Sequence, residues 1–275
     1  MNRRDFLSST AATAAVTTAL AAAGPAANPA ANGAAAPAAP AAREYYELRR
    51  YHLRRGPRQA VFENYLEKAW LPAMKRLGIG PIGVFHVMVG PGSPSVYVLI
   101  PYASMEVYAS VGARLREDGE YRAAAAEAGG APASDPVYQR VESSLLGSIA
   151  SVPRLEVPVQ KREGRGRIFE LRVYESHSKR ANLKKIEMFD IGETALFRRT
   201  GLTPVFFGEA LIGGRLPNLT YLLVFDDLAA RDRAWRTFAG DPEWKTLSST
   251  SGFTDPEIVT DISNQLLRPA GYSEV

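Results

Sequence analysis

The pentapeptide Glu47-Leu48-Arg49-Arg50-Tyr51 occurs a second time as Glu170-Leu171-Arg172-Val173-Tyr174. The two copies lie 123 residues apart (47 to 170), and the same spacing aligns many residues that follow. The aligned pairs include Gly78 with Gly201, Pro81 with Pro204, Pro94 with Pro217, Asp118 with Asp241, Glu120 with Glu243 and Tyr121 with Trp244. A fixed spacing over most of each half indicates an internal duplication. The sequence therefore predicts one structural unit that is built twice.

Length and composition are those of an ordinary globular protein. A chain of 275 residues accommodates two units of about a hundred residues each, and 46% hydrophobic residues is a usual fraction. The lack of cysteine in the sequence excludes disulfides, thiolate nucleophiles and zinc–thiolate sites. The formal charge is only +4, and lysine and arginine are scattered along the chain apart from one short cluster over residues 161–167, so no nucleic-acid partner is predicted. This cluster is expected to be a solvated linker, and the alternative is a patch for an anionic partner.

The first 42 residues read as a leader and a tether. Arg3 and Arg4 precede a weakly apolar run over residues 11–23, which is too short to span a bilayer. A charged start, a short apolar stretch and small residues resemble an export signal of the twin-arginine class. We therefore expect an exported protein, periplasmic or extracellular, without a membrane span once the signal is removed. The alternative is a disordered alanine-rich N-terminus, and residues 24–42 are expected to be a disordered tether.

Both halves that follow the leader show the order strand, helix, strand, strand, helix, strand, which is the ferredoxin-like βαββαβ unit. The strands are predicted at Tyr45–Leu53, Val84–Val89, Val96–Ile100, Tyr138–Ile149, Ile168–Glu175, Thr203–Ile212, Leu219–Phe225 and Ile258–Leu267. Pro72 is expected to kink the first helix. We predict a first repeat over residues 43–150, a linker over 151–167 and a second repeat over 168–275, giving an α+β protein.

Side chains alternate between the two faces of each duplicated strand. The apolar Phe169, Leu171 and Val173 are expected to pack under helices. The opposite face of both strands carries the repeated Glu, Arg and Tyr, and we expect this face to point into the space between two facing sheets. The residues of this candidate ligand pocket are Glu47, Arg49, Tyr51, Glu170, Arg172 and Tyr174. Because buried charges must be paired, these residues either bind an anionic or hydroxylated small molecule or form a structural ion-pair network.

His86 is a second candidate, because it lies in the middle of an apolar strand. A histidine there can act as an axial haem ligand or in proton transfer, or it can be a satisfied structural residue. Its equivalent in the second repeat is Glu209, so the two side chains are weak catalytic candidates as a facing, coupled pair. His52 and His177 are expected to be exposed, and the histidine spacing does not predict a zinc site.

Several motifs together resemble the NIPSNAP family. They are the Glu-Leu-Arg-x-Tyr strand, the helix that ends in glycine, the later Gly-x-x-Pro and the Asp-Pro-x-Trp helix start. The first repeat departs from the last motif, with Gly119 and Tyr121 in place of proline and tryptophan. The resemblance implies a dimeric α+β barrel, here made from two tandem repeats packed sheet to sheet in one chain.

The resemblance implies little about activity. Animal members of the family look like mitochondrial interaction proteins, whereas bacterial members resemble proteins of unassigned function. We therefore expect an exported protein that binds a small molecule or a protein partner, as a monomer with an internal pseudo-dimer or as a homodimer. The alternative is a cofactor-independent oxygenase or a haem-binding enzyme that uses the inter-sheet space. No cofactor is predicted, and haem is the alternative.

Overall fold

The strands of both repeats close into one eight-stranded antiparallel barrel in the computed structural model, which describes residues 43–275. The expected leader lies outside the described residues. The strands are β1 (Tyr45–His52), β2 (Gly83–Val89), β3 (Ser95–Tyr102), β4 (Arg140–Ser148), β5 (Ile168–Glu175), β6 (Thr203–Ile212), β7 (Asn218–Phe225) and β8 (Asp261–Pro269). The barrel order β1-β3-β2-β8-β5-β7-β6-β4 places the four strands of each repeat side by side, as in a ferredoxin-like sheet. The predicted sheet-to-sheet barrel is therefore confirmed.

Two seams join the sheets, one where β2 pairs with β8 and one where β4 pairs with β6. All neighbouring strands are antiparallel, so β1, β2, β5 and β6 run in the same direction. The approximate two-fold axis that relates the repeats must therefore lie along the barrel. Equivalent hairpins of the two repeats consequently meet at the same end, beyond the last residues of β1 and β5.

Helices lie outside the barrel. They are α1 (Arg58–Asn64), α2 (Leu71–Arg76), α3 (Met105–Glu117), α4 (Gly119–Ala124), α5 (Ala126–Gly129), α6 (Val159–Arg162), α7 (Lys179–Met188), α8 (Thr194–Thr200), α9 (Leu228–Gly240), α10 (Pro242–Ser249) and α11 (Asp255–Ile258). Among the described residues, no helix has the length and apolar character needed to cross a bilayer. The strand expected from Ile258 begins only at Asp261, because a capping box formed by Thr254 and Glu257 starts α11 there.

A π-helical turn interrupts the first helix of each repeat, at Tyr65–Trp70 and at Phe189–Glu193. In the first repeat the turn stands just before Pro72, where a kink is expected. The equivalent position in the second repeat is Ala195, which cannot break a helix. Since both repeats have the turn and only one has the proline, Pro72 is not its cause.

The barrel interior is an apolar core to which both repeats contribute. It is formed by Tyr46, Phe85, Tyr97, Leu99, Leu146, Phe169, Leu171, Val205, Phe206, Ala210, Leu222, Val224, Leu267 and Val275. Phe169 and Leu171 therefore point into the barrel, and the expectation that they pack under helices is wrong. A closed barrel has an inner face that helices cannot reach, and that face takes the most apolar side chains, each of which contributes about 1.5–3 kcal/mol on full burial.

Candidate functional site

The repeated Glu, Arg and Tyr lie on the outer face of the barrel, beneath the helices, and not between the sheets as expected. In the first repeat Nε and Nη2 of Arg49 donate to the carboxylate of Glu47 at 2.7 and 2.9 Å. Tyr102 and Ser143 donate to the same carboxylate, and the Arg49 guanidinium lies 5.5 Å from the ring centre of Trp70. Burial raises the pKa of Glu47, but these donors outweigh it and leave the pKa below its usual value.

The second repeat builds a larger version of this network around Glu170, which is fully buried. Arg231 of α9 donates to its carboxylate at 2.7 and 2.8 Å, and Trp235 of the same helix donates at 2.8 Å. Arg172 and Asn264 add bonds of 3.0 and 3.1 Å. These five hydrogen bonds hold the pKa of Glu170 below its usual value, against the opposing effect of burial.

The repeated Glu, Arg and Tyr thus form a separate network within each repeat, and the two networks do not contact each other. The physical reason for the reversed faces is that helices can supply donors such as Arg231, whereas the barrel interior is filled with apolar side chains. A buried carboxylate is tolerated only where such donors reach it. The geometry agrees with the structural ion-pair interpretation, and a ligand role for the six residues stays a prediction.

A fully buried ion pair in the second repeat was not predicted. Nζ of Lys185 donates to Glu193 at 2.8 Å, and the ammonium lies 4.8 to 5.7 Å from the ring centres of Phe189, Tyr174 and Trp244. Burial raises the pKa of Glu193 despite the attraction of Lys185. In the first repeat the equivalent positions hold Phe62 and Trp70. Comparing the two repeats at the 123-residue spacing would have revealed this exchange of aromatics for charges.

His86 and Glu209 do not face each other, so the expected coupled pair is wrong. His86 lies on β2 at one seam, with Nε2 2.7 Å from Oε1 of Glu63 on α1, and Tyr272 donates to that same carboxylate. Glu209 lies on β6 at the other seam and pairs with Lys179. Because the two repeats are related along the barrel axis, equivalent residues occupy opposite sides of the barrel.

These positions also bear on the haem alternative. Nε2 of His86 is engaged by Glu63, and the side chain lies outside the barrel, so it does not fit an axial ligand in the inter-sheet space. His177 is exposed as expected, but His52 is buried, with Nε2 3.1 Å from Glu142. Within residues 43–275 the His, Asp and Glu side chains form no cluster of three that could hold a metal ion.

One end of the barrel contains a cavity of about 270 Å³. Its deep part is apolar and belongs to the barrel core, through Leu48 and Leu171. Its walls and rim are mostly polar, with the side chains of Arg50, Tyr97, Glu142, Ser144, Arg215, Asn218, Thr220, Ser263 and Gln265. Pockets for drug-sized ligands measure about 300–1,000 Å³. This cavity therefore suits a smaller organic molecule and is too small for haem.

Two arginines distinguish this cavity, and each comes from a position at which the repeats differ. Arg50 corresponds to Val173, and Arg215 corresponds to Gly92. Arg215 has φ of 59°, a left-handed conformation that costs a non-glycine residue free energy and that its glycine counterpart adopts easily. Its Nη1 donates to Ser263 at 2.9 Å. Arginine is therefore unfavourable for the backbone at this position, and its side chain lines the cavity.

Arg50 is held in place by the hairpin between β2 and β3. Its Nη2 donates to the carbonyl oxygen of Pro91 at 2.6 Å, and its guanidinium lies 5.5 Å from the ring centre of Tyr97. A Cβ atom at Gly92 would collide with this guanidinium, and one at Gly90 would come within 2.7 Å of Gln265. Glycine is therefore favoured at both positions by the positive φ, and at Gly90 also by the close approach of Gln265.

Two buried polar atoms of the cavity residues have no hydrogen-bond partner within residues 43–275. They are Nε of Arg50 and Oε1 of Gln265. Buried polar atoms in native proteins are nearly always bonded, and eight further buried side-chain atoms of the described residues also have no partner, among them Nε of Arg172 and the hydroxyl of Tyr46. Sequence reasoning missed Arg50 and Gln265. The available signal was a difference between the repeats: Arg50, inside the first copy of the pentapeptide, corresponds to Val173 in the second copy.

The comparisons with known proteins agree with the fold. The family model described as NIPSNAP matches residues 46–133 and 169–274. A candidate monooxygenase from Lactobacillus acidophilus has a similar structure with 10% identity, a TM-score of 0.55 and coverage of 82% of this chain and 94% of its own. A candidate monooxygenase from Fusobacterium nucleatum is similar in structure with 7% identity, a TM-score of 0.51 and coverage of 83% of this chain and 93% of its own.

A NIPSNAP-like domain protein from Burkholderia xenovorans is 21% identical, and the match covers 40% of this chain and 90% of that one, with a TM-score of 0.36. No curated protein matches the chain. At these identities the structural neighbours show the fold alone, and the two-segment family match accounts for both repeats.

Proposed function

The chain belongs to the NIPSNAP family, and we propose that it binds a small organic molecule in the cavity at the end of its barrel. The observation that supports this proposal is the cavity itself, which joins an apolar deep end at Leu48 and Leu171 to the guanidinium groups of Arg50 and Arg215.

The shape of the cavity supports binding more than a structural role. Its deep part is continuous with the apolar core, while its walls offer hydroxyl, amide and guanidinium groups. An apolar interior with a few placed polar groups is the usual composition of a ligand pocket. The second candidate, an oxygenase or haem enzyme, used His86 and the Glu-Arg-Tyr sets in the inter-sheet space. These side chains instead contact residues of the helices on the outer face of the barrel.

A cavity-filling substitution tests the proposal. Val173 lines the cavity, and Val173→Phe is expected to occupy part of the space with an aromatic ring. Native mass spectrometry of the wild-type protein should detect a bound small molecule that is missing from the variant. Ile191→Phe, at an exposed position of the π-helical turn in the second repeat, is the matched control and should retain the molecule. Equal occupancy in Val173→Phe and wild type would contradict the proposed location.

We also propose that the protein is exported by the twin-arginine route, which the pair Arg3-Arg4 ahead of a weakly apolar run supports. Replacing both arginines by lysine is expected to retain the protein in the cytoplasm of an expressing host, because this class of signal is read through the arginine pair. Cell fractionation followed by immunoblotting measures the distribution. An unchanged exported fraction in the double-lysine variant would rule out this route.

A further inference from the structure

The charge around the cavity narrows the class of ligand. Arg50 is a partly buried cation, and within residues 43–275 its guanidinium forms no ion pair with a carboxylate. The lining includes the acid Glu142, which lies opposite Arg50 on the neighbouring strand and attracts it. Its carboxylate also contacts His52 at 3.1 Å and Arg140 at 3.5 Å. A buried charge without a counterion is unfavourable. Arg50 therefore shares its neighbouring carboxylate with two other basic side chains and is only partly neutralised.

The second arginine strengthens the positive character of the cavity. Arg215 donates to Ser263 and lies 3.4 Å from Glu175, a long contact that leaves most of its donors available. Three guanidinium groups, those of Arg50, Arg140 and Arg215, stand beside two carboxylates, those of Glu142 and Glu175, so the cavity and its rim carry an excess of one positive charge. The planar guanidinium of an arginine matches the two oxygens of a carboxylate, and the one hydrogen bond that Arg50 donates uses Nη2.

The apolar part of the lining indicates the size and polarity of the rest of the ligand. Leu48 and Leu171 form the deep end, and the cavity volume is about 270 Å³. A molecule that places an apolar body against these leucines and an anionic group on Arg50 fills both parts. We propose that the ligand is a small monocarboxylate with a compact apolar or aromatic body, its carboxylate bound by Arg50 with Arg215 as a second cation. This inference rests on the proposed binding function.

The restricted position of Arg50 favours specific recognition over general attraction of anions. Its guanidinium is fixed by the Pro91 carbonyl oxygen on one side and by the Tyr97 ring on another. A side chain that is already held loses little freedom when it binds. The second repeat has valine at this position, so Arg50→Val introduces a residue that a strand of this barrel already accommodates.

A matched pair of probes tests the ligand class. Benzoate and benzamide have nearly the same shape, and only benzoate carries a carboxylate. In calorimetric titrations at low salt, benzoate is expected to bind the wild-type protein about tenfold more tightly than benzamide, or better, because hydrogen bonds to charged groups are the stronger ones. Arg50→Val should remove this preference, Arg215→Gly should reduce it, and the exposed Arg236→Ala on α9 should leave it unchanged.

The outcomes separate the ligand class from the proposed function. Equal affinities for benzoate and benzamide would overturn the carboxylate assignment while leaving small-molecule binding in place. A preference that survives in Arg50→Val would overturn the role of Arg50. If neither probe binds and the wild-type protein co-purifies with a neutral molecule, the ligand class is wrong. If neither probe binds and no molecule co-purifies, the proposed function fails as well. Circular dichroism of each variant confirms that it is folded.

Discussion

Lys185→Ala is expected to lower the free energy of unfolding by about 3–5 kcal/mol, because it leaves the carboxylate of Glu193 buried without its cation. Both side chains are almost fully buried, and their 2.8 Å bond is the main compensation for removing two charges from water. Urea denaturation followed by tryptophan fluorescence measures the loss. A decrease below about 1 kcal/mol would show that the pair is hydrated in solution.

The first repeat supplies the control for this prediction. Its equivalent residues are Phe62 and Trp70, which fill the same place with apolar rings. Replacing a buried ion pair by apolar residues of suitable volume is often neutral or stabilising. The double variant Lys185→Phe with Glu193→Trp should therefore recover most of the stability that the single substitution loses. A double variant as unstable as Lys185→Ala would show that packing differences between the repeats dominate.

The second large effect is expected at Glu170. Its carboxylate accepts five hydrogen bonds, and Glu170→Ala would leave the nearly buried guanidinium of Arg172 without a counterion. The expected loss is again about 3–5 kcal/mol at neutral pH. Glu47→Ala in the first repeat is the matched comparison and should cost less, because Arg49, its main partner, is more exposed than Arg172.

The effect of Glu170 should depend on pH in a defined direction. Its pKa in the folded protein lies below the ordinary value of 4.5, so its ionised form stabilises the fold at pH values above that value. This contribution disappears as the pH falls through the folded pKa. The difference in stability between wild type and Glu170→Ala should therefore shrink in urea titrations carried out at successively lower acid pH. A difference that is constant with pH would show that the carboxylate is not ionised in the folded protein.

Much of the fold could be predicted from the sequence because the duplication is a long-range signal. Ile168–Glu175 and Thr203–Ile212 are observed with the predicted limits, and the other strands differ by a few residues at their ends. Alternation along a strand shows which residues share a face, but it does not show which face a barrel encloses. Phe169 and Leu171 could pack either inside a barrel or under helices, and only the closed topology decides.

The candidate site was harder to predict for a related reason. Arg50 belongs to the duplicated pentapeptide, yet it lies on the face that was expected to be covered by helices. Arg215 lies in a hairpin, where the direction of a side chain depends on backbone angles that the sequence pattern does not specify. The Glu-Arg-Tyr sets could be found because they occur in both repeats. Arg50 and Arg215 could not be found in this way, because the other repeat has valine and glycine at these positions.

The axis along the barrel has a consequence for how this protein can evolve. In an assembly of two separate identical subunits, any new side chain at the barrel end appears twice, so two copies of Arg50 would confront each other across one opening. Fusion of the subunits into a single gene product removes that constraint. Valine could be retained opposite Arg50, and glycine opposite Arg215. A single-chain barrel can then recognise asymmetric molecules, whereas two identical subunits could line the opening only with two-fold related copies of each side chain.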